Sequence, residues 1–324
     1  MIKATVVIPN YNGIKYMANC LESLYHLKEQ ALFRVLVVDN GSTDGSLELI
    51  RDSYPQAGLI ALPENTGFCH AVNVGIENSD TPYVILLNND TEVLPGFVQA
   101  LTEAMERDEK CFAVSSRMLK WQDHTLIDDA GDQYCVLGWA YSRGKDRPAV
   151  QYDRPAKVFA ACGGASIYRK SILDEIGCFD ENHFAYLEDI DICYRARIYG
   201  YHCTYEPAAK VLHAGSATSG SRYNDFKTRL SSANSIYLIA KNMPLLQLIW
   251  NLPFLLAGFL TKTIFFTLKG MGVTYLKGLT KGLQKTFTPQ GKAHKVPFRW
   301  PHLGNYLHIQ FLLYLNTFRL FIKH

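Results

Sequence analysis

The chain has 324 residues, 48% of them hydrophobic and 19% charged. That suits one large domain, or a domain with an appendage, and excludes a disordered or fibrous chain. Net charge is +3, but residues 226–324 carry 13 Lys and Arg and no acid, so the C-terminal third is expected to meet an anionic partner.

Met1 to Thr5 runs straight into an apolar segment without the zones of a signal peptide, and the 8 cysteines include no C-x-x-C pair. Reduced, packed thiols are expected rather than a zinc site. Ala4 to Pro9 reads as a buried strand ended by the turn cluster Asn10-Tyr11-Asn12-Gly13. A helix follows, with Tyr16, Cys20, Leu24 and Leu27 at helical spacing. Arg34 to Asp39 is a second strand, Ser46 to Arg51 a helix, Leu59 to Leu62 a third strand, Gly67 to Asn78 a helix and Tyr83 to Leu87 a fourth strand. Such alternation over residues 1–115 predicts an α/β fold with a parallel, doubly wound sheet, with polar residues gathered at the strand carboxyl ends where such sheets bind ligands.

Residues 116–225 are less regular, with a polar segment at 120–155 and a short strand at Lys157 to Ala161. Further on, Leu245 to Leu268 is long enough to cross a bilayer at about 1.5 Å per residue. Gln247, Asn251, Gly258, Lys262 and Lys269 fall on one helical stripe of it, which favours a helix lying in a membrane surface. Lys277, Lys281 and Lys285 repeat at helical spacing as a basic face, and Leu303 to Ile322 is a second apolar stretch. Apolar runs among the cations favour an anionic lipid surface over nucleic acid. The alternative is a soluble helical subdomain with solvated lysines. The expected division is 1–240, with halves 1–115 and 116–240, and a basic, apolar helical extension 241–324.

Asp39 and Asp90 each end a strand. A base or ribose needs a carboxylate acceptor there, and Asn88-Asn89-Asp90 offers hard oxygens to a divalent cation, Mg2+ or Mn2+, on a diphosphate. Ordinary turn residues are the alternative. Glu188-Asp189-Ile190-Asp191 places three carboxylates in four positions, as a general base site or as an acidic helix N-terminus. Cys162-Gly163-Gly164 permits close approach of a ligand, or is a plain turn. His213 is a candidate imidazole ligand or a structural histidine.

Taken in order, Val7-Ile8-Pro9-Asn10-Tyr11-Asn12, Val38 to Asp44, Glu64-Asn65-Thr66-Gly67-Phe68, Leu87-Asn88-Asn89-Asp90-Thr91, Gly163-Gly164-Ala165 and Glu188 to Asp191 resemble family 2 inverting glycosyltransferases of the GT-A fold. The likeness covers residues 4–240 and is greatest to the rhamnosyltransferase branch. It implies a Rossmann-like, mostly parallel sheet flanked by helices. The donor would be a nucleotide-diphosphate sugar, dTDP-rhamnose first and a UDP-hexose as rival, and the acceptor a lipid-linked or free glycan of a cell-surface polysaccharide. By that resemblance Pro9 and Tyr11 line the nucleoside pocket, Asp39 takes the base, and Asn65 and Gly67 lie near ribose and diphosphate. Asn88, Asn89 and Gly164 complete the donor site. Asp90 and His213 hold the metal, Asp189 is the base with Glu188 beside it, and Gly163 and Asp191 face the acceptor. The basic, apolar C-terminal third in turn suggests an acceptor held in the membrane and met on the cytosolic face, where nucleotide sugars are made, and so a peripheral position there.

Two positions depart from the pattern. Asn88 stands where the metal motif has Asp, which leaves room for a catalytically degenerate nucleotide-binding protein. A late Arg-Asn pair reads Ala233-Asn234, leaving Arg222 or Arg229 as phosphate contacts.

Overall fold

The computed structural model describes residues 2–215 and 223–322. Among the described residues the strands are β1 (Ala4–Asn10), β2 (Phe33–Asn40), β3 (Gly58–Leu62), β4 (Tyr83–Leu87), β5 (Thr91–Val93), β6 (Cys111–Lys120), β7 (Asp123–Asp129), β8 (Asp132–Tyr134), β9 (Ala140–Ser142), β10 (Ala156–Val158), β11 (Ala165–Arg169) and β12 (His202–His213). The helices of the first 200 residues are α1 (Ile14–Tyr25), α2 (Ser46–Ser53), α3 (Phe68–Glu77), α4 (Phe97–Glu106), α5 (Lys170–Ile176) and α6 (Glu188–Ile198). Those that follow are α7 (Asp225–Asn242), α8 (Leu245–Leu268), α9 (Gly272–Phe287), α10 (Pro289–Ala293) and α11 (Leu303–Ile322).

The main sheet runs β10-β12-β6-β11-β4-β1-β2-β3. β1 is parallel to both β2 and β4, and β2 to β3, so the expected doubly wound half is present. Its strands read as unbroken apolar runs because both faces are covered: Val6 and Ile8 pack with α1 and α4 on one side, Val7 with α3 on the other. The chain leaves β1 in one direction for β2 and returns on the other flank as β4. That reversal opens a crevice at the carboxyl end of β1. Beyond β4 the sheet turns mixed. β11 is antiparallel to both β4 and β6, and β12 is parallel to β6 while pairing antiparallel with β5.

The segment 120–155 is more ordered than its polarity implies. It holds β7 and a separate β8–β9 hairpin, and the strand expected at 157–161 is β10, three residues long. Residue 240 falls in the last turn of α7, which ends two residues later, before Pro244.

α8 runs unbroken through Pro253 and is long and apolar enough to cross a bilayer. Its polar stripe, however, points into the protein from Gln247 to Lys262, and only Lys269 at its end is exposed. Asn251 is buried and exchanges two hydrogen bonds with Gln310 of α11, and Gln247 bonds both Gln310 and Tyr194. A Cβ on Gly258 would lie 2.2 Å from the Leu137 carbonyl, so only glycine fits against the hairpin. The apolar side chains are turned outward instead: Leu246 is 82% exposed, Trp250 68% and Leu268 83%. Lys285 leaves the basic face expected of α9 and reaches Asn182 and Asn234, whereas Lys277 and Lys281 remain exposed.

Candidate active site

A cleft of about 1230 Å³ opens at the carboxyl ends of β1 and β4, between the start of α6, the β8–β9 hairpin and the start of α7. It gathers Pro9, Tyr11, Asn65, Asn88, Asn89, Asp90, Gly163, Gly164, Glu188, Asp189 and His213 from positions up to 200 residues apart. Asn10, Asn40, Asp132, Ser142 and Lys227 also line it, and none of these was singled out as a site residue.

Three expected site residues stand behind the wall. Asp39 is 1% exposed and both its oxygens are engaged: Oδ2 accepts from Asn10 Nδ2 at 2.7 Å and Oδ1 from the Ser42 amide at 3.0 Å. It fixes the turn that presents Asn10 and Tyr11 rather than lining the cleft. Gly67 has φ +93°, and a Cβ there would sit 2.6 Å from the Phe184 ring, so this glycine lets the loop before α6 pack onto the start of α3. Asn65, which does line the cleft, accepts from Gly67 N and Asn40 Nδ2.

Asp191 is the third, and the structure removes it from the acceptor side. It is fully buried and takes Lys241 Nζ at 2.7 Å, Asn242 Nδ2 at 2.7 Å and Arg195 Nε at 3.2 Å. Burial alone would raise its carboxyl, but Lys241 and Arg195 hold it down to about 2. A residue two positions beyond Asp189 on a helix lies on another face, and here that face is the core.

Asp90 and His213 meet because β5 pairs with the end of β12, Thr91 opposite His213, and the Ala214 amide donates to the Asp90 carbonyl. His213 Nε2 lies 3.4 Å from Asp90 Oδ1, while Nδ1 lies 2.7 Å from Asp128 Oδ2. Burial would lower the imidazole, yet bonds to the two carboxylates raise it to about 9. Asp128, itself paired with Lys145 at 2.6 Å, is held well below the usual carboxylate range by His213 and Lys145 despite burial. As it stands the imidazole bridges two carboxylates; a cation taking the place of the Nε2 proton would leave Asp128 fixing the other nitrogen, as a second carboxylate does for a metal-ligating histidine. With the Asn88 amide on the same wall, the donor set of hard oxygens and one imidazole fits a divalent cation of the Mg2+ or Mn2+ class. Asp128 went unrecognised in the sequence because its role needs the fold to bring it to His213, 85 positions away.

Glu188 and Asp189 open α6. Asp189 Oδ1 accepts from the Ile190 amide at 2.7 Å and Oδ2 faces the Gly163 amide at 3.5 Å, so the small-residue loop and the base touch. Burial raises the Asp189 carboxyl, partly countered by these amides. Burial and the neighbouring Asp189 push Glu188 up to about 8, and its buried Oε2 has no hydrogen-bond partner. Burial raises both carboxyls and the two titrate as a pair, in which ionising both is the costly state.

The loop before α6 is strained: Phe184, Tyr186 and Leu187 have φ of 62°, 71° and 66°. It is held by Asn234 of α7, whose Nδ2 lies 2.9 Å from each of the His183, Ala185 and Tyr186 carbonyls, while its Oδ1 accepts from Lys285 of α9 at 3.1 Å. Asn234 thus clamps the backbone that leads into Glu188 and Asp189. Arg229 is exposed beside Lys277, outside the cleft, and Arg222 lies outside the described residues.

The model of a family described as "Glycosyl transferase family 2" matches residues 5–177. An N-acetylglucosaminyl-diphospho-decaprenol L-rhamnosyltransferase of Mycobacterium tuberculosis is 29% identical over 238 residues, 66% of this chain and 77% of that protein. Among solved structures, S. aureus TarS 1–349 aligns with TM-score 0.58 at 17% identity over 87% of this chain and 80% of its own. GalNAc-T7 with UDP, GalNAc and Mn2+ aligns with TM-score 0.60 at 15% identity over 74% of this chain, which spans 48% of that protein. Likeness at such identities concerns the fold.

Proposed function

The chain belongs to glycosyl transferase family 2 and has a GT-A type fold, and we propose that it transfers L-rhamnose from a nucleotide-diphosphate donor, with inversion, to a lipid-linked glycan at a membrane surface. The observation that carries the transfer is the placing of Asp189, anchored by two backbone amides, in the same cleft as the Asp90–His213 pair. Pro9, Tyr11 and Asn65 line the donor end, and Asn88 and Asn89 lead to Asp90. A divalent cation held by Asp90 and His213 would neutralise the departing diphosphate. Asp189 takes the proton of the attacking hydroxyl, beside a Glu188 carboxyl that burial and Asp189 raise to about 8. One displacement with no protein nucleophile inverts the anomeric centre.

Rhamnose as donor sugar rests on the 29% identical relative and the motif resemblance, with a UDP-hexose as the second reading, motivated by the UDP-bound structural neighbour. The lipid-linked acceptor, the cell-surface polysaccharide and the peripheral, cytosolic membrane position rest on that relative and on the outward apolar faces of α8 and α11, set beside an acid-free, cationic C-terminal third. A donor panel with Mg2+ or Mn2+, read by release of nucleotide diphosphate, tests the reading. A preference for dTDP-rhamnose supports it. Preference for a UDP-hexose overturns the sugar, and silence with every donor overturns the enzyme.

A further inference from the structure

We propose that the β8–β9 hairpin carries a saccharide subsite in which Asp132, with Ser142 beside it, accepts hydrogen bonds from hydroxyls of the receiving sugar. The subsite lies in the cleft already described and rests on the transferase reading for the role of that sugar.

Asp132 begins β8 and lines the cleft, yet is only 8% exposed. Its Oδ1 accepts from Ser142 Oγ at 3.2 Å. Its backbone is pinned: the Asp132 amide donates to the Ala160 carbonyl at 2.9 Å, and the Phe159 and Ala160 amides each donate to its carbonyl at 3.0 Å. These bonds set it beside Cys162 and so next to Gly163, the residue whose amide faces Asp189. Carboxylate oxygens of Asp129 and Asp132 and the Cys162 sulfur lie within 4.8 Å of one another.

Two acids buried side by side are costly unless something donates to them. Asp129 Oδ1 takes the Gly131 amide at 2.7 Å, but its Oδ2 is buried without a hydrogen-bond partner. Among the described residues neither acid makes an ion pair within 4 Å, unlike Asp128, Asp180 and Asp191 nearby in the fold. Burial raises both carboxyls, Asp129 to about 6, and keeps the Cys162 thiol protonated. A protonated thiol and a proton shared between acids suit hydroxyls, which both donate and accept, better than a cation.

The position selects the receiving sugar over the donor. Donor groups sit at the ends of β1 and β4, whereas the far end of the hairpin is clasped by the apolar helices. Trp139 Nε1 donates to the Gly258 carbonyl of α8, the Val136 amide to Leu313 of α11, and Asn316 Nδ2 to the Tyr134 carbonyl. One end of this short hairpin thus packs on the inner sides of α8 and α11, and the other opens beside Gly163, whose amide faces Asp189. A headgroup sugar attached to an apolar chain would follow that route.

The test uses the whole protein with UDP or dTDP added, and the methyl glycosides of glucose, galactose, mannose and N-acetylglucosamine as probes, observed by saturation-transfer NMR. Asp132→Ala is expected to weaken the bound glycoside about tenfold or more, and Asp132→Asn and Ser142→Ala by about threefold, with nucleotide affinity within about twofold of wild type. Asp132→Asn keeps the side-chain shape should the alanine variant fold poorly. Unchanged glycoside binding in folded Asp132→Ala, or no glycoside bound by wild type, overturns the subsite. If wild type binds a glycoside through Asp132 but releases nucleotide diphosphate from no donor, the subsite stands and the transferase reading falls.

Discussion

Asn234→Ala is the most demanding test of how the base is held. The side chain is fully buried, and its amide nitrogen serves three carbonyls at 2.9 Å while its oxygen receives Lys285. A net hydrogen bond is worth about 1 kcal/mol and a stranded buried polar group costs about 1–3, so truncation should cost about 2–4 kcal/mol of stability. Relaxation of one of the three positive-φ residues would return about 1–3 kcal/mol of that. Relaxation is what harms catalysis: Asp189 follows directly on Leu187 and Glu188, and a shift on the order of 1 Å lowers a rate about 10²-fold. The expected result is kcat down about 100-fold with donor KM within about threefold, measured by nucleotide-diphosphate release beside a thermal melt. Asn234→Asp keeps the shape but replaces donors by acceptors, and is expected to do at least as much damage. A folded Asn234→Ala enzyme with kcat within about threefold of wild type would refute the clamp.

Asp189→Asn should lower transfer by about 10²–10⁴ while leaving nucleotide binding intact; near-normal turnover means another group is the base. Asp128→Asn removes the charge that orients His213 and is expected to weaken Mn2+ binding about 10–100-fold in calorimetry with UDP present, whereas equal affinity would detach Asp128 from the metal site. Glu188 has its folded pKa raised from 4.5 to about 8, so its contribution to stability is complete below about 4.5 and is lost as pH rises through about 8. Melts from pH 5 to 9 should therefore show wild type losing stability relative to Glu188→Gln; parallel curves argue against the raised value. Combined Leu246→Ser, Trp250→Ser and Leu268→Ser should abolish flotation with anionic liposomes without lowering the melting temperature, and undiminished flotation places the membrane contact elsewhere.

Local patterns announced the doubly wound half because β1, β2 and β4 are covered on both faces and each ends in a polar turn. The motif turns were legible for the same reason, down to Asn65 and Asp90. Roles that depend on strand pairing across long separations were not. Nothing near Asp128 marks it as the partner of His213, and Asp132 sat in a segment whose polarity read as irregular loop. The run Glu188 to Asp191 showed three acids but not that the third is turned into the core against Lys241. The stripe on α8 was visible, but its sense was inverted: polar groups on an apolar helix marked the side that meets the protein. Asn234 was noticed only as half of a missing pair, although its amide holds the loop.

The clamp also has a consequence for protein engineering. Lys285 supports Asn234, and His294, just past α10, bonds Asp180 at 2.7 Å within the ion-pair cluster that holds Asp191. The segment that links α8 to α11 is thus joined to the floor of the reaction centre through α9 and the residue after α10. A chimera that exchanged residues 245–324 for a foreign anchor would lose both residues and cripple chemistry and attachment together. On the membrane reading proposed above, retargeting this enzyme to a different bilayer calls for recolouring the outer surface of α8 and α11, residue by residue, with the inward stripe left untouched.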